Sequence, residues 1–185
     1  MQRIILIGPI CSGKSSVADE LTKRLNMPRC ALDDVRFTYY KEMGFREDKQ
    51  KQIHEQKGFA GVYDYWKPFE AHAVVRTLDD YPSHIIDFGA GHSVYEDRNL
   101  FKKVREAMKD EAHVFLLLPS DDENESIDVL NERLMNLTTE QAVLNINRHF
   151  VRHPSNRMLA THTVYTEDKT IAQVAEEITE LVNMK

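Results

Sequence analysis

The residues best suited to chemistry stand near the start of the chain, where residues 8–15 read GPICSGKS and fit the pattern G-x-x-x-x-G-K-[ST]. The backbone N–H groups of such a loop surround a phosphate, and the helix that follows points its positive end at the anion. Lys14 can then reach the β- and γ-phosphates, while Ser15 binds Mg²⁺. The motif predicts a site for ATP and Mg²⁺, with contacts from Gly8, Cys11, Ser12, Gly13, Lys14, Ser15 and Ser16.

Cys11 lies inside this loop and allows two interpretations. A small side chain is tolerated there without a role of its own. Alternatively, a thiol beside a helix N-terminus has a lowered pKa and is sensitive to oxidation. Because Cys11 and Cys30 are the only cysteines, no disulfide framework is possible, and a reducing, cytoplasmic compartment is expected.

Short apolar runs alternate with helical patterns along the chain. This order predicts an α/β fold in three layers, with helices on both faces of a five-stranded parallel sheet. We expect one domain, residues 1–185, that includes a helical substrate-binding region at about 34–80 with breaks near Gly44, Gly58 and Gly61. The expected strands lie at 3–7, 29–32, 84–86, 114–118 and 161–165, and the other helices at 14–25, 96–109, 122–135, 138–152 and 170–183.

The charge of the chain is acidic and unevenly distributed. Its 24 Lys and Arg face 30 Asp and Glu, a formal net charge of −6, which argues against nucleic acid or an anionic membrane as a partner. Residues 121–132 hold six acids and no base, whereas residues 141–166 hold three arginines and no acid. The basic stretch is therefore a candidate for closing over an anionic ligand.

The size of the chain and three of its motifs indicate a class of protein. The N-K-x-D motif of GTPases is absent, and 185 residues is a usual size for a small phosphate-loop kinase. With the loop, an acid pair at Asp33 and Asp34 and a GAG turn at residues 89–91, the chain resembles the shikimate kinase family, within the nucleoside-monophosphate-kinase-like group. The resemblance implies that Asp33 or Asp34 meets the acceptor hydroxyl and assists its deprotonation. The alternative is that one of these acids caps the next helix.

The resemblance also implies acceptor-binding and metal-binding residues. Residues 66–70, WKPFE, resemble the family's F-R-x-x-E motif, so Lys67 would hold an acidic group of the acceptor. A solvated lysine beside a helix that starts at Pro68 is the alternative. Asp87 resembles the acid that orients Mg²⁺ at the end of a strand, or is a turn residue. The implied acceptor contacts are Asp34, Lys67, Gly89, Ala90, Gly91 and Arg152, and the implied metal ligands are Ser15, Asp33 and Asp87.

A lid is expected over residues 133–157. Residues 129–134, VLNERL, resemble the helix that carries an adenine-stacking arginine, which places Arg133 at the nucleotide. Residues 152–156, RHPSN, resemble the family's R-x-P-x-Y segment, which makes Arg152 the candidate anion anchor and catalytic arginine. Arg148 and Arg157 are further candidates for the arginine at the transferring phosphoryl group.

Two further patterns leave alternatives open. Nine of the sixteen aromatic side chains fall between residues 37 and 69, and they predict either an aromatic-walled acceptor pocket or the core of a small helical subdomain. His149 and His153 have the spacing of metal ligands on a helix. No Cys or acid stands at ligand spacing beside them, so we expect a solvated polar face.

The sequence as a whole predicts an ATP- and Mg²⁺-dependent kinase that transfers the γ-phosphate to a hydroxyl of a small anionic metabolite. A nucleoside, nucleotide or antibiotic kinase on the same scaffold is one alternative. A nucleotide-binding regulator with little catalysis is the other. We expect a monomer whose partners are ATP and a small-molecule acceptor.

Overall fold

The structure, a computed structural model, describes residues 2–184. At its centre is a five-stranded parallel sheet with the order β2-β3-β1-β4-β5, so the α/β fold predicted from the alternating pattern is confirmed. The terminal residues of the predicted 1–185 domain, Met1 and Lys185, lie outside the described part. The strands are β1 (Ile4–Ile7), β2 (Arg29–Ala31), β3 (Ile85–Asp87), β4 (Val114–Leu118) and β5 (His162–Tyr165).

Helices cover both faces of the sheet. They are α1 (Lys14–Leu25), α2 (Leu32–Glu42), α3 (Glu47–Asp80), α4 (Arg98–Met108), α5 (Glu123–Met135), α6 (Gln141–Arg152), α7 (Pro154–Leu159) and α8 (Ile171–Asn183). A short 3-10 helix, Ala90–Ser93, follows β3. The sequence did not predict α7, because its 6 residues are too few for a periodic pattern to stand out.

The helical region after β2 breaks at two of the three predicted glycines. Gly44 separates α2 from α3 with a φ of +76°, and Gly58 bends α3 with a φ of +64°. The break predicted at Gly61 is wrong, because Gly61 is buried within α3, where a Cβ would come within 2.5 Å of the Lys57 side chain. Pro68 also lies inside α3, so the helix start considered there is wrong.

The side chains of β1 point alternately to the two faces of the sheet and so belong to two layers of the core. Ile5 and Ile7 pack on the side of α3 and α4, while Ile4 and Leu6 pack on the side of α1 and α8. All four side chains are fully buried. Burying an aliphatic side chain of this size stabilises the fold by roughly 1.5–3 kcal/mol. The wholly apolar strand is therefore explained by two covered faces, as the sequence predicted.

The topology brings the ends of β1 and β3 together. These strands are parallel neighbours, with Leu6 opposite Asp87. The strands β2 and β3 lie on one side of β1, and β4 lies on the other side. Open α/β sheets form ligand crevices at such a point, where the strand order changes direction. Among residues 2–184, no helix is long and apolar enough to cross a membrane.

Candidate active site

The loop between β1 and α1 has the backbone that a phosphate loop needs. Gly8 has a φ of +143°, and a Cβ on it would lie 2.6 Å from the carbonyl oxygen of Leu117. Gly13 caps the N-terminus of α1 in the left-handed conformation, with a φ of +92°. Glycine is required at both positions because a side chain would be strained or would collide with β4.

Lys14 folds back over this loop. Its Nζ donates hydrogen bonds to the carbonyl oxygens of Gly8, at 2.9 Å, and Pro9, at 2.6 Å. Burial lowers the pKa of Lys14 to about 8, while the charges of Asp33 and Asp87 oppose that shift. The ammonium group of Lys14 is therefore buried near two carboxylates. The phosphates of a bound nucleotide would replace its contacts with the loop carbonyl groups.

Asp87 is held from two sides at the end of β3. The hydroxyl of Ser15 donates to its Oδ2 at 3.0 Å. Arg29 donates from Nε to Oδ1 at 2.8 Å and from Nη2 to Oδ2 at 2.9 Å. A hydroxyl and a carboxylate side by side are oxygen ligands suited to Mg²⁺. Arg29 was not singled out from the sequence, since a lone arginine at a strand start carries no motif.

One cavity beside the phosphate loop lies next to Arg133. Arg133 donates from Nη1 to the carbonyl oxygen of Cys11 at 3.2 Å, so it lies beside the loop, while its contact with the nucleotide stays a prediction. Burial raises the pKa of the Cys11 thiol despite the nearby Lys14 and Arg133, so of the two interpretations the acidic, oxidation-sensitive thiol is not supported. The cavity is lined by Ser12, Gly13, Ser16, Val17, Arg133, Thr166, Lys169, Ile171 and Val174.

On the other side of the loop, a cavity of about 170 Å³ opens between α2, α3, α6 and the turn after β3. Its polar residues include both predicted and unpredicted ones. Its walls come mostly from aromatic and apolar side chains. The lining residues are Ile10, Asp33, Arg36, Phe59, Tyr63, Trp66, Glu70, Gly89, Ala90, Gly91, His92, Ile146 and Phe150.

The two adjacent acids of α2 differ in position. Asp33 lines the cavity and forms an ion pair with Arg36, at 3.0 Å. Both acids are exposed, but Asp34 does not line the cavity. The N-cap of α2 is Ala31, so neither acid caps the helix and that alternative is wrong. The spacing of Asp33 and Arg36, one helical turn apart, was the available signal for Arg36.

The turn at residues 89–91 lies between two carboxylates. A Cβ added to Gly89 would lie 2.4 Å from Asp33 Oδ1, and one added to Gly91 would lie 2.5 Å from Glu70 Oε1. Glycine at these two positions therefore leaves room for a carboxylate on each side. Glu70 is the last residue of the WKPFE stretch, but the sequence gave no reason to place it beside this turn.

Lys67 is buried, in contrast to the solvated lysine that the sequence offered as an alternative. Its Nζ forms an ion pair with Glu70 at 2.6 Å and donates to the carbonyl oxygens of Gly91, at 2.9 Å, and Val94, at 3.1 Å. It also lies 3.9 Å from the ring centre of Tyr63. The ammonium group thus already has partners and does not line the cavity, although the resemblance assigned it to an acceptor anion.

Arg152 likewise lies outside the cavity. It is exposed at the end of α6, where Nη2 donates to Asn124 at 2.8 Å. Nearby, Arg157 stands 3.8 Å from Glu123. The basic stretch therefore faces the acidic start of α5. The roles of Arg152 as anion anchor and catalytic arginine stay predictions, and both require Arg152 to move.

Two buried polar residues complete the site and carried no sequence signal. Asn147, on α6, accepts a hydrogen bond from the Ile10 amide at 2.7 Å and donates to the Ile10 carbonyl at 3.3 Å. It ties the predicted lid to the phosphate loop. His92 lies 3.3 Å from the Tyr40 hydroxyl, and burial lowers its pKa to about 3, which makes the ring neutral at pH 7.

The histidine pair on α6 has an acidic neighbour that the sequence did not reveal. Glu96 reaches His149 Nε2 at 2.7 Å, and its carboxylate also accepts from the Tyr63 hydroxyl at 2.8 Å. Glu96, His149 and His153 together form a group that can hold a metal ion, although His153 already accepts the Ser155 amide as an N-cap. The solvated face expected here is therefore partly wrong, because these side chains contact one another.

The aromatic residues between positions 37 and 69 contribute both to the core and to a cavity wall, the two alternatives that the sequence left open. Tyr40, Phe45 and Phe69 pack within the core. Phe59, Tyr63 and Trp66 instead line the cavity. Side chains of α3 therefore contribute both to the core and to the wall of the cavity.

A sheet of this order with a phosphate loop after β1 is a P-loop α/β fold of the shikimate kinase type. The chain is similar over 100% of its length to shikimate kinase from Acinetobacter baumannii in complex with shikimate, covering 96% of that chain with a TM-score of 0.65 and 19% identity. It is similar over 99% to shikimate kinase from Bacteroides thetaiotaomicron, with 99% of that chain, a TM-score of 0.63 and 17% identity. A gluconokinase from Sinorhizobium meliloti 1021 matches over 99%, with 93% of that chain, a TM-score of 0.60 and 16% identity.

No protein-family model and no curated protein sequence matches the chain. The likeness thus lies in the fold, at identities of 16–19%. For the fold, the resemblance inferred from the motifs is confirmed. The likeness in fold does not determine the acceptor, because the similar structures include kinases named for different substrates.

Proposed function

We propose that the protein is a small-molecule kinase that transfers the γ-phosphate of ATP to a hydroxyl group of a small acceptor. The observation that carries this is the position of Asp33. It lines the acceptor cavity, and its charge acts on Lys14 in the phosphate loop. A carboxylate beside both the cavity and the phosphate loop supports the proposal, because the transfer needs a base for the acceptor hydroxyl there.

The residues have separate roles in this transfer. Asp33 accepts the hydroxyl proton as the acceptor oxygen bonds to the γ-phosphorus and the bond to the β–γ bridging oxygen breaks, releasing ADP. Lys14 neutralises charge on the β- and γ-phosphates. Ser15 and Asp87 would hold Mg²⁺, which supplies further charge neutralisation when bound. Arg133 and the cavity that it lines would hold the nucleoside of ATP.

Closure over the site is part of the proposal. Residues 133–157 would exclude water, since an exposed γ-phosphate would be hydrolysed. Asn147 and Phe150 already place α6 against the loop and the cavity. A lid arginine would add positive charge during transfer, and Arg152 is the candidate that the resemblance offers.

An ATP-consumption screen tests the proposal. ADP release is measured with a panel of hydroxy acids, sugars, polyols, nucleosides and antibiotics, with shikimate and gluconate included. We expect acceptor-dependent ADP release by the wild-type protein, and its loss in Lys14→Ala. Tight ATP binding with no acceptor-dependent turnover across the panel would instead favour a nucleotide-binding regulator.

A further inference from the structure

A carboxylate and two imidazoles converge beside the candidate lid. Glu96 lies between the 3-10 helix after β3 and α4, His149 lies in the last turn of α6, and His153 lies between α6 and α7. One ligand atom from each of these three side chains lies within 4.8 Å of those of the other two. The sequence showed two histidines at metal-ligand spacing, and the fold adds the acid that this pattern lacked.

These atoms are close enough for a single ion. Two atoms that each lie about 2.1 Å from one Zn²⁺ are at most about 4.2 Å apart, so the side chains need to move by less than about 1 Å. The side chains of Glu96 and His149 are 45% and 42% exposed, which allows this movement and gives an ion a path from solvent. The ion would replace the proton that His149 Nε2 donates to Glu96 Oε1 at 2.7 Å.

The surroundings of Glu96 match those of a metal-binding carboxylate. Such a group is usually oriented by a further hydrogen bond, and the Tyr63 hydroxyl donates to Glu96 Oε1 at 2.8 Å. Because Tyr63 is buried, this donor is fixed in place. Lys67 lies 3.9 Å from the centre of the Tyr63 ring, but its charge is balanced by Glu70 at 2.6 Å. The ammonium group of Lys67 therefore opposes a cation at Glu96 only weakly.

His153 has to give up one contact when it binds an ion. Its Nδ1 accepts the Ser155 amide at 3.2 Å, at the N-terminus of α7. A neutral imidazole that binds a metal through one nitrogen carries its proton on the other. The Ser155 hydrogen bond is therefore lost whichever nitrogen of His153 binds, so the Ser155 amide reports whether His153 is a ligand.

We propose that Glu96, His149 and His153 form a binding site for a transition-metal ion, and that Zn²⁺ is the ion that fits best. Imidazole nitrogen suits zinc, whereas Mg²⁺ and Ca²⁺ prefer oxygen ligands. Two histidines and one glutamate leave a fourth position for water. The bound ion holds α6 against the segment that carries Glu96. Because Phe150 of α6 lines the acceptor cavity, the ion also fixes one wall of that cavity.

Zinc binding to the full chain tests the site. Competition with a chromogenic zinc chelator gives affinity and stoichiometry, in excess Mg²⁺ so that the oxygen ligands Ser15 and Asp87 are occupied. We expect one Zn²⁺ per chain. Glu96→Gln and His149→Ala should each weaken binding by about a hundredfold or more, and Tyr63→Phe, which removes only the hydrogen bond to Glu96, by about tenfold.

His72→Ala is the matched control. His72 Nε2 also lies 2.7 Å from a glutamate, Glu42, but among residues 2–184 that pair is not part of a three-ligand group. This variant should bind zinc as the wild type does. A chain that binds no zinc would overturn the inference. So would binding that survives both Glu96→Gln and His149→Ala, since the ion would then lie elsewhere, for example at a cysteine.

Hydrogen exchange followed by NMR tests the ligand set and its effect on the lid. On zinc binding, the amides of α6 should exchange about tenfold more slowly and those of α8 should not change, while the Ser155 amide should exchange faster. A Ser155 amide that keeps its exchange rate would contradict the three-ligand site, and unchanged exchange in α6 would contradict the fixing of that helix. These measurements need neither ATP nor an acceptor, so their outcome is independent of the proposed kinase function.

Discussion

The hydroxyl of Ser15 donates a hydrogen bond of 3.0 Å to the carboxylate of Asp87, although 72 positions separate the two residues. They meet because β1 and β3 are parallel neighbours, so the loop after one strand lies at the end of the other. Arg29 fixes the orientation of the same carboxylate. The fold thus provides paired oxygen ligands beside the phosphate loop.

Removing the charge of Asp87 should weaken the use of Mg²⁺. In Asp87→Asn the side chain keeps its shape but loses its negative charge, so we expect the Mg²⁺ concentration for half-maximal ADP formation to rise about tenfold or more. A Mg²⁺ titration measures this. Asp19→Asn is the control, because the Asp19 carboxylate pairs with another nitrogen of Arg29 and makes no hydrogen bond with the Ser15 hydroxyl. An unchanged Mg²⁺ dependence in Asp87→Asn would refute the metal role.

The lowered pKa of Lys14 predicts how nucleotide binding depends on pH. In the free protein Lys14 has a pKa of about 8, and bound phosphates should raise it. Well below pH 8 the lysine is already charged, so binding takes up no proton there. Above pH 8, ADP binding should take up a proton at Lys14 and weaken by up to about tenfold per pH unit. Calorimetry in buffers of different ionisation enthalpy counts the protons.

Lys14→Met is the matched variant for that measurement. It should abolish the additional proton uptake above pH 8, and equal uptake in both proteins would contradict the assignment. The same lowered pKa should reduce the stability of the free protein below about pH 8, a cost that disappears as the pH approaches 10.5. Without nucleotide, Lys14→Met should therefore have a higher free energy of unfolding than wild type at pH 7.

Asn147 should contribute to stability and to nucleotide binding through its two hydrogen bonds with the backbone of Ile10. Asn147→Leu leaves the amide and carbonyl of Ile10 without their partner, which should lower the free energy of unfolding by about 1–3 kcal/mol. We also expect a higher KM for ATP, because the loop loses its tie to α6. Asn145→Leu, exposed on the same helix, is the control in urea unfolding and kinetics. Two variants of equal stability and equal KM would show that this contact is dispensable.

The sequence predicted the sheet and the phosphate loop because both depend on local patterns. The run from Ile4 to Ile7 is apolar at every position, and the loop has fixed glycine spacing. Gly61 was misjudged as a break because glycine also occurs where helices need space, and only the packing of Lys57 shows which case applies.

The acceptor side was less predictable, since its properties depend on pairing across the fold. The one-turn spacing of Lys67 and Glu70 permits an ion pair, but the sequence could not show that two carbonyl groups also hold the ammonium group. Arg36 and Glu70 reach the cavity from different helices, and Glu96 reaches His149 from a loop. Such contacts between distant residues leave no motif, whereas burial and distance reveal them.

The central claim is that Asp33 is the base for the acceptor hydroxyl, and the adjacent Asp34 provides the control. Asp33→Asn and Asp34→Asn are compared with wild type using the acceptor that gives the fastest ADP release in the screen. We expect Asp33→Asn to lose about 10²–10⁴-fold in kcat with ADP affinity unchanged, while Asp34→Asn stays within about twofold of wild type. If Asp33→Asn retains the wild-type kcat, the proposed site is wrong.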